Sequence, residues 1–244
     1  MTAPRFYCPD PISGNKTLTL PETVAHHIRV RRLEAGCEIV LFDGLGGEIT
    51  GVLDFDGKTA QVQLGERCSK EAELGGEITL IQGLPSGDKM DWVIEKAVEL
   101  GVQRVIPVAA HRSVLKLSGE RMNKRLLHWK GIVIAASEQS GRNRLMEILP
   151  PQSLAQTLAQ KDLGFVLLCD PAAQGDLSTV LHTQRNRTQE GISFLVGPEG
   201  GWSPEEIELS RRHLVDSVQF GSRVLRSETA GLALVAATTA LMGW

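Results

Sequence analysis

The rhythm of apolar and polar positions changes once along this chain. From the start to about residue 70 the runs are short: TLTL (17–20), EIVLF (38–42), EITGVLDF (48–55) and TAQVQL (59–64), broken by the turn signals DGLGG and DGK. Short β-like runs between glycine-rich turns predict the strands of a small barrel or sandwich. SKEAELGG (69–76) is polar, ends in glycine and reads as a linker. Beyond it strand and helix patterns alternate. EITLIQG (77–83), QRVIPVAA (103–110), GFVLLCD (164–170), ISFLVG (192–197) and SVQFG (217–221) are predicted strands. DKMDWVIEKAVELG (88–101) places Trp92, Val93, Lys96, Ala97 and Leu100 at helical spacing and stops at Gly101. A long helix is predicted over 119–139 with Ser118 as its cap, and a helical turn near 153–160. Ser203-Pro204-Glu205-Glu206 offers an N-cap serine, a proline at N1 and a glutamate at N3, the pattern of a capping box. Ser227 is a candidate N-cap for the apolar carboxyl-terminal helix. This alternation predicts an α/β fold with a parallel sheet covered by helices on both faces, preceded by a small β domain.

Composition narrows the class. The 244 residues carry 26 Lys plus Arg against 29 Asp plus Glu, a net charge of −3, so bulk-charge binding of nucleic acid is excluded and any basic site must be local. A hydrophobic content of 42% suits a chain that buries a core. HHIRVRR (26–32) concentrates arginines and histidines. Residues 112–144 hold Arg112, Lys116, Arg121, Lys124, Arg125, Lys130, Arg142 and Arg144 against only Glu120 and Glu138. Two basic patches on an acidic background suit a selective polyanion binder, although each alone also reads as a solvated helix face. The cysteines at 8, 37, 68 and 169 have neither zinc spacing nor the density of a disulfide framework. The amino-terminal stretch lacks the apolar region of a secretory signal, and the apolar carboxyl-terminal stretch is short for a membrane span. A cytoplasmic protein with no membrane partner and no metal is expected.

Three segments carry candidate chemistry. FLVGPEGGWSPEE (194–206) is a tight strand–loop–helix junction, and such crevices at the carboxyl ends of parallel strands are where open α/β sheets bind ligands. It is neither a phosphate-binding GxxxxGK[ST] loop nor a GxGxxG dinucleotide fingerprint, and Glu199 at its centre would repel a phosphate. A purely structural tight turn remains open. In FGSRVLRSETA (220–230), Arg226 and Glu228 bring charge to the head of an apolar helix, which burial penalises unless they pair with each other or bind something. In AASEQSGRNR (135–144), carboxylate, amide and guanidinium groups cluster at a helix end, where amides suit base edges and guanidinium groups suit phosphates.

LVGPEGG (195–201) followed by LRSETA (225–230) resembles the bacterial small-subunit ribosomal RNA uridine-N3 methyltransferases of the SPOUT superfamily. RFY (5–7), HHIRVRRLEAG (26–36), KMDWVIEKAVELGVQRVIPV (89–108) and SEQSGR (137–142) extend the likeness over nearly the whole chain. The resemblance implies a PUA-like RNA-binding β-barrel over 1–72 and a SPOUT methyltransferase domain over 73–244 with a carboxyl-terminal trefoil knot. It implies S-adenosylmethionine (SAM) as methyl donor, a homodimer, and N3 of a uridine in small-subunit ribosomal RNA as target, on the assembled small subunit. The donor site implied comprises Leu168, Cys169 and Asp170; Val196, Gly197, Pro198, Glu199, Gly200 and Gly201; and Leu225, Ser227, Thr229 and Ala230. Arg226 and Glu228 are the catalytic candidates, with Glu138 a competing base. RNA contacts are expected from Arg5, His27, Arg29, Arg32, Arg112, Gln139 and Arg142, since an arginine fork grips phosphate bidentately. Two other readings stay open: an RNA-binding assembly factor without methyl transfer, and a transferase acting on another RNA position such as a tRNA ribose or a guanine.

Overall fold

The computed structural model describes residues 3–10, 12, 17–57, 59–114 and 119–244. Ser118, expected to cap the long helix, lies outside them. The chain forms two compact units, Met1–Glu73 with Ile134–Leu145, and Leu74–Val133 with Met146–Trp244.

The first unit contains β1 (Arg5–Tyr7), β2 (Thr17–Thr19), α1 (Glu22–Val30), β3 (Glu38–Phe42), β4 (Glu48–Asp56) and β5 (Thr59–Cys68). They form a five-stranded sheet in the order β1-β3-β4-β5-β2, antiparallel except for the β1–β3 pair. Alternation sorts the faces: Ala60, Val62 and Leu64 of β5 point inward and their neighbours outward. The β4–β5 register shifts between Ile49 and Gly51, where a Cβ on Gly51 would collide with Val62 Cγ1. The purely β reading of this stretch is corrected by α1. Val24, Ala25 and Ile28 lie on one helical face and are buried against Phe6, Ile39, Leu41 and Leu53. The charged HHIRVRR run masked that short apolar stripe.

The second unit adds β6 (Ile78–Gly83), α2 (Lys89–Glu99), β7 (Arg104–Val108), α3 (Gly119–Ser140, whose last turns belong to the first unit), β8 (Glu147–Ile148), α4 (Leu154–Leu158) and β9 (Phe165–Cys169). It continues with α5 (Leu177–Thr183), a 3-10 turn (Arg187–Glu190), β10 (Ile192–Val196), α6 (Pro204–Arg212), β11 (Asp216–Val218) and α7 (Ser227–Met242). The six-stranded sheet runs β11-β9-β10-β6-β7-β8 and every pairing is parallel. Its central strands β6 and β10 are buried throughout, as expected where helices cover both faces. From β6 the chain first builds outward to β7 and β8, then crosses to β9 on the other side. The β6–β10 boundary is therefore where strand order reverses.

Ser203 and Glu206 close the expected capping box on α6: Ser203 N donates to Glu206 Oε2 at 2.8 Å and Glu206 N to Ser203 Oγ at 3.2 Å. The cap expected on α7 is corrected. Arg226 occupies the N-cap position and makes no side-chain cap bond. The Ser227 hydroxyl instead donates to Gly197 O and accepts from Gln82 Nε2 at 2.9 Å, tying the head of α7 to β6 and to the end of β10.

Candidate active site

Where β9 and β10 end and α7 begins, a cavity of about 580 Å³ opens, within the usual range for small-molecule sites. It lies at the carboxyl ends of the strands beside the reversal of strand order, where open α/β sheets place ligands. Three chain segments build it. From the end of β9 and just past it come Leu168, Cys169 and Asp170; from the end of β10 and the loop after it come Val196, Gly197, Pro198, Glu199 and Gly201; at the head of α7 come Leu225, Arg226, Ser227, Glu228 and Ala230. The two segments with the strongest sequence signals are thus brought to one cavity, and so is the weaker LLCDP segment.

Gly200 and Thr229 are not among the lining residues, and for Gly200 the reason is visible. A Cβ there would stand 3.0 Å from Arg112 Cβ, while Arg112 Nη1 donates to Gly200 O at 3.0 Å. This glycine admits a neighbouring turn of the protein. Gly201, with φ +68 and nothing near its Cβ position, supplies the left-handed step that brings the loop back to α6.

The lining also includes Lys89, Trp202 and Ile207, which the motif reading left out. Trp202 directly follows GPEGG, and Lys89 is the first residue of the KMDW segment, so membership of or adjacency to a quoted motif was the only signal for either. Lys89 Nζ lies 2.8 Å from Glu199 Oε1 and 3.7 Å from Glu228 Oε1. Ser86 donates to Glu199 Oε1 from its hydroxyl at 2.7 Å and from its amide at 3.1 Å. Burial alone would raise the Glu199 carboxyl, but hydrogen bonds from Lys89 and Ser86 outweigh it and hold the group at about 2. The same hydrogen bond is the chief reason the Lys89 ammonium is raised above its ordinary value. Burial pushes the Cys169 thiol up to about 11, with a lesser push from Asp170. Two buried polar atoms of the lining, Trp202 Nε1 and Glu228 Oε2, have no hydrogen-bond partner among the described residues. Apolar walls (Leu168, Val196, Leu225, Ile207), carboxylates and two unmet polar atoms fit a planar, polar-edged ligand that carries positive charge.

The remaining expected site residues lie elsewhere. Glu138 belongs to the first unit, accepts from Tyr7 N at 3.0 Å, and has its carboxyl raised chiefly by burial. Arg142, expected to grip phosphate, is 2% exposed and donates from Nη2 to Glu73 Oε2 at 2.6 Å. Arg5 is mostly buried and pairs with Glu48 and Asn143. The acids that occupy these arginines come from outside the window that made 112–144 look basic. Arg29, His27, Arg32 and Gln139 are exposed, and Arg29 pairs with Glu22 at the surface. Among the described residues no group of three or more possible metal ligands comes together, and no helix is long and apolar enough to cross a membrane.

Residues 71–239 match the family described as RNA methyltransferase domain, and residues 20–64 the family described as RNA methyltransferase PUA domain. The chain belongs to this family of RNA methyltransferases. Two relatives carry the name ribosomal RNA small subunit methyltransferase E. The Bacillus subtilis protein is 33% identical over 86% of this chain and 84% of its own length, and the Synechocystis protein 32% identical over 93% and 74%. A crystal structure of the enzyme of that name from Neisseria gonorrhoeae, bound to S-adenosyl methionine, superposes with a TM-score of 0.91 at 37% identity, covering 98% of both chains.

Proposed function

We propose that this protein is a SAM-dependent methyltransferase acting on N3 of a uridine in small-subunit ribosomal RNA. The observation that carries this reading is the cavity that joins Glu199, Arg226 and Glu228 to an apolar slot at the ends of β9 and β10. The relatives' names and the SAM-bound neighbour support the donor and the RNA class.

When bound, SAM supplies an electrophilic methyl group on a cationic sulfonium. The apolar walls would hold its adenine, the Trp202 indole N–H would meet a polar edge, and the carboxylates would favour the positive charge. The chain's own task is to prepare uracil. N3 sits on the pairing edge and carries a proton, so the base must be unpaired or flipped out before it can react. Glu228 Oε2 accepts that proton, leaving an electron pair on N3. Arg226, exposed at the N-cap of α7, stabilises the negative charge that spreads onto the uracil oxygens. Glu138, tied to Tyr7 in the first unit, is better assigned to holding β1 than to proton transfer.

His27, Arg29, Arg32 and Gln139 in the first unit are the RNA contacts most open to a phosphate or base edge; Arg112 also remains exposed. The Arg29–Glu22 pair is at the surface, and such pairs exchange readily for a phosphate. A homodimer in the cytoplasm working on the assembled small subunit completes the proposal. A trefoil knot at the carboxyl end is proposed too, supported by the close passage of α7 over β6: a Cβ on Gly231 would stand 2.7 Å from Leu80 Cδ1.

Replacing Arg226 with Ala should lower methyl transfer by roughly 10²–10³-fold, the usual cost of losing one such donor, while SAM affinity by calorimetry stays within a few-fold. Unchanged turnover would remove Arg226 from the reacting centre.

A further inference from the structure

Lys89 opens α2, outside the glycine loop and the α7 head, yet its ammonium reaches both. It is 2.8 Å from Glu199 Oε1 and 3.7 Å from Glu228 Oε1, so one side chain links three separate elements. Its two partners are in different states. Glu199 is held firmly at Oε1, which takes Lys89 and two bonds from Ser86. Among the described residues, Glu228 has only Oε1 near a cation, and its Oε2 is buried without a hydrogen-bond partner. The other charged groups lining the same cavity are Arg226, two residues before Glu228 in the chain, and Asp170 after β9.

We propose that Lys89 is a positioning residue for proton transfer: anchored on Glu199, it orients Glu228 through Oε1 so that Oε2 is left as the free acceptor. This role rests on the reading of Glu228 as the group that takes the N3 proton. The Glu199 hydrogen bond raises the Lys89 ammonium further above an ordinary value that already keeps it charged at neutral pH. The glycine loop does not depend on Lys89 alone. Ser86 still holds Glu199, and Gly83 still packs on Pro198 at the loop's start. Loss of Lys89 should therefore fall on turnover more than on donor capture.

The test compares wild type, Lys89→Met, Lys89→Arg and Glu228→Gln in full-length protein. Methyl transfer to small ribosomal subunits that lack the methyl group is followed as kcat and KM, with SAM affinity by calorimetry and thermal midpoint beside it. Lys89→Met should lower kcat by about 10²-fold, the scale of one positioned proton-transfer group. SAM affinity should change by less than threefold or so. Lys89→Arg should restore most of kcat, and Lys89→Met should cost little more in a Glu228→Gln background. Equal losses in kcat and SAM affinity, or no rescue by arginine, would overturn the role. A wild-type protein that neither binds SAM nor transfers a methyl group would instead overturn the parent reading.

Discussion

Glu199 is held as a carboxylate by donors that the fold brings from two elements. Its carboxyl sits at about 2 in the folded protein against an ordinary 4.5, so the linkage has a definite sign. A depressed acid stabilises the fold in full above its unfolded value, and that contribution disappears as pH falls from about 4.5 through about 2. Thermal midpoints of wild type and Glu199→Gln should differ by a constant amount above about pH 5 and converge as pH drops toward 2; a gap that widened on acidification would contradict the assignment. The wild-type group is a third exposed, so the gap should be modest and shrink with salt. GPEGG reads from sequence as a ligand loop, and Glu199 as a group that would repel a phosphate. That its charge is shared with Lys89 and Ser86 was not legible, because those partners lie more than a hundred positions away.

Elements meet around the cavity through backbone contacts that only glycine permits. A Cβ on Gly83, at the end of β6, would stand 2.5 Å from Pro198 Cδ and 2.7 Å from Pro198 N. Proline in a loop cannot yield as a flexible side chain can. Gly83→Ala should cost about 1–3 kcal/mol of stability, the typical range for overpacking, and lower SAM affinity by displacing the Pro198–Glu199 segment. Chemical denaturation and calorimetry on the same variant check both, and wild-type values for each would refute the crossing as a constraint. The long, strongly periodic elements were readable from the chain: α2, the α6 capping box and the five principal strands of the second unit follow from spacing and punctuation alone. α1 and α5 were not, since each buries only two or three residues among polar ones. The N-cap of α7 was misassigned because the Ser227 hydroxyl is taken by Gly197 and Gln82, contacts that local sequence cannot display.

At the scale of the whole chain, charge divides into structural and exposed sets. Arg142 and Arg5 pair with Glu73 and Glu48, while Arg29 and Arg32 remain at the surface of the first unit. Arg142→Ala strands a buried carboxylate and should cost about 3–5 kcal/mol of stability. Arg29→Ala and Arg32→Ala should leave stability nearly unchanged and each reduce the salt slope of RNA affinity by roughly 0.7–0.9. A steep loss of slope with intact folding in Arg142→Ala would reverse the division. The sequence also could not reveal that 134–145 returns to complete the first unit, because linear order places it inside the second.

The most direct measurement is mass-spectrometric mapping of small-subunit ribosomal RNA after incubation with SAM and this protein, or with its Arg226→Ala variant. The account predicts a single new methyl group on the base of one uridine, at the pairing nitrogen, and its absence with the variant. A methyl group on a ribose or a guanine, or none at all from the wild-type protein, would contradict it.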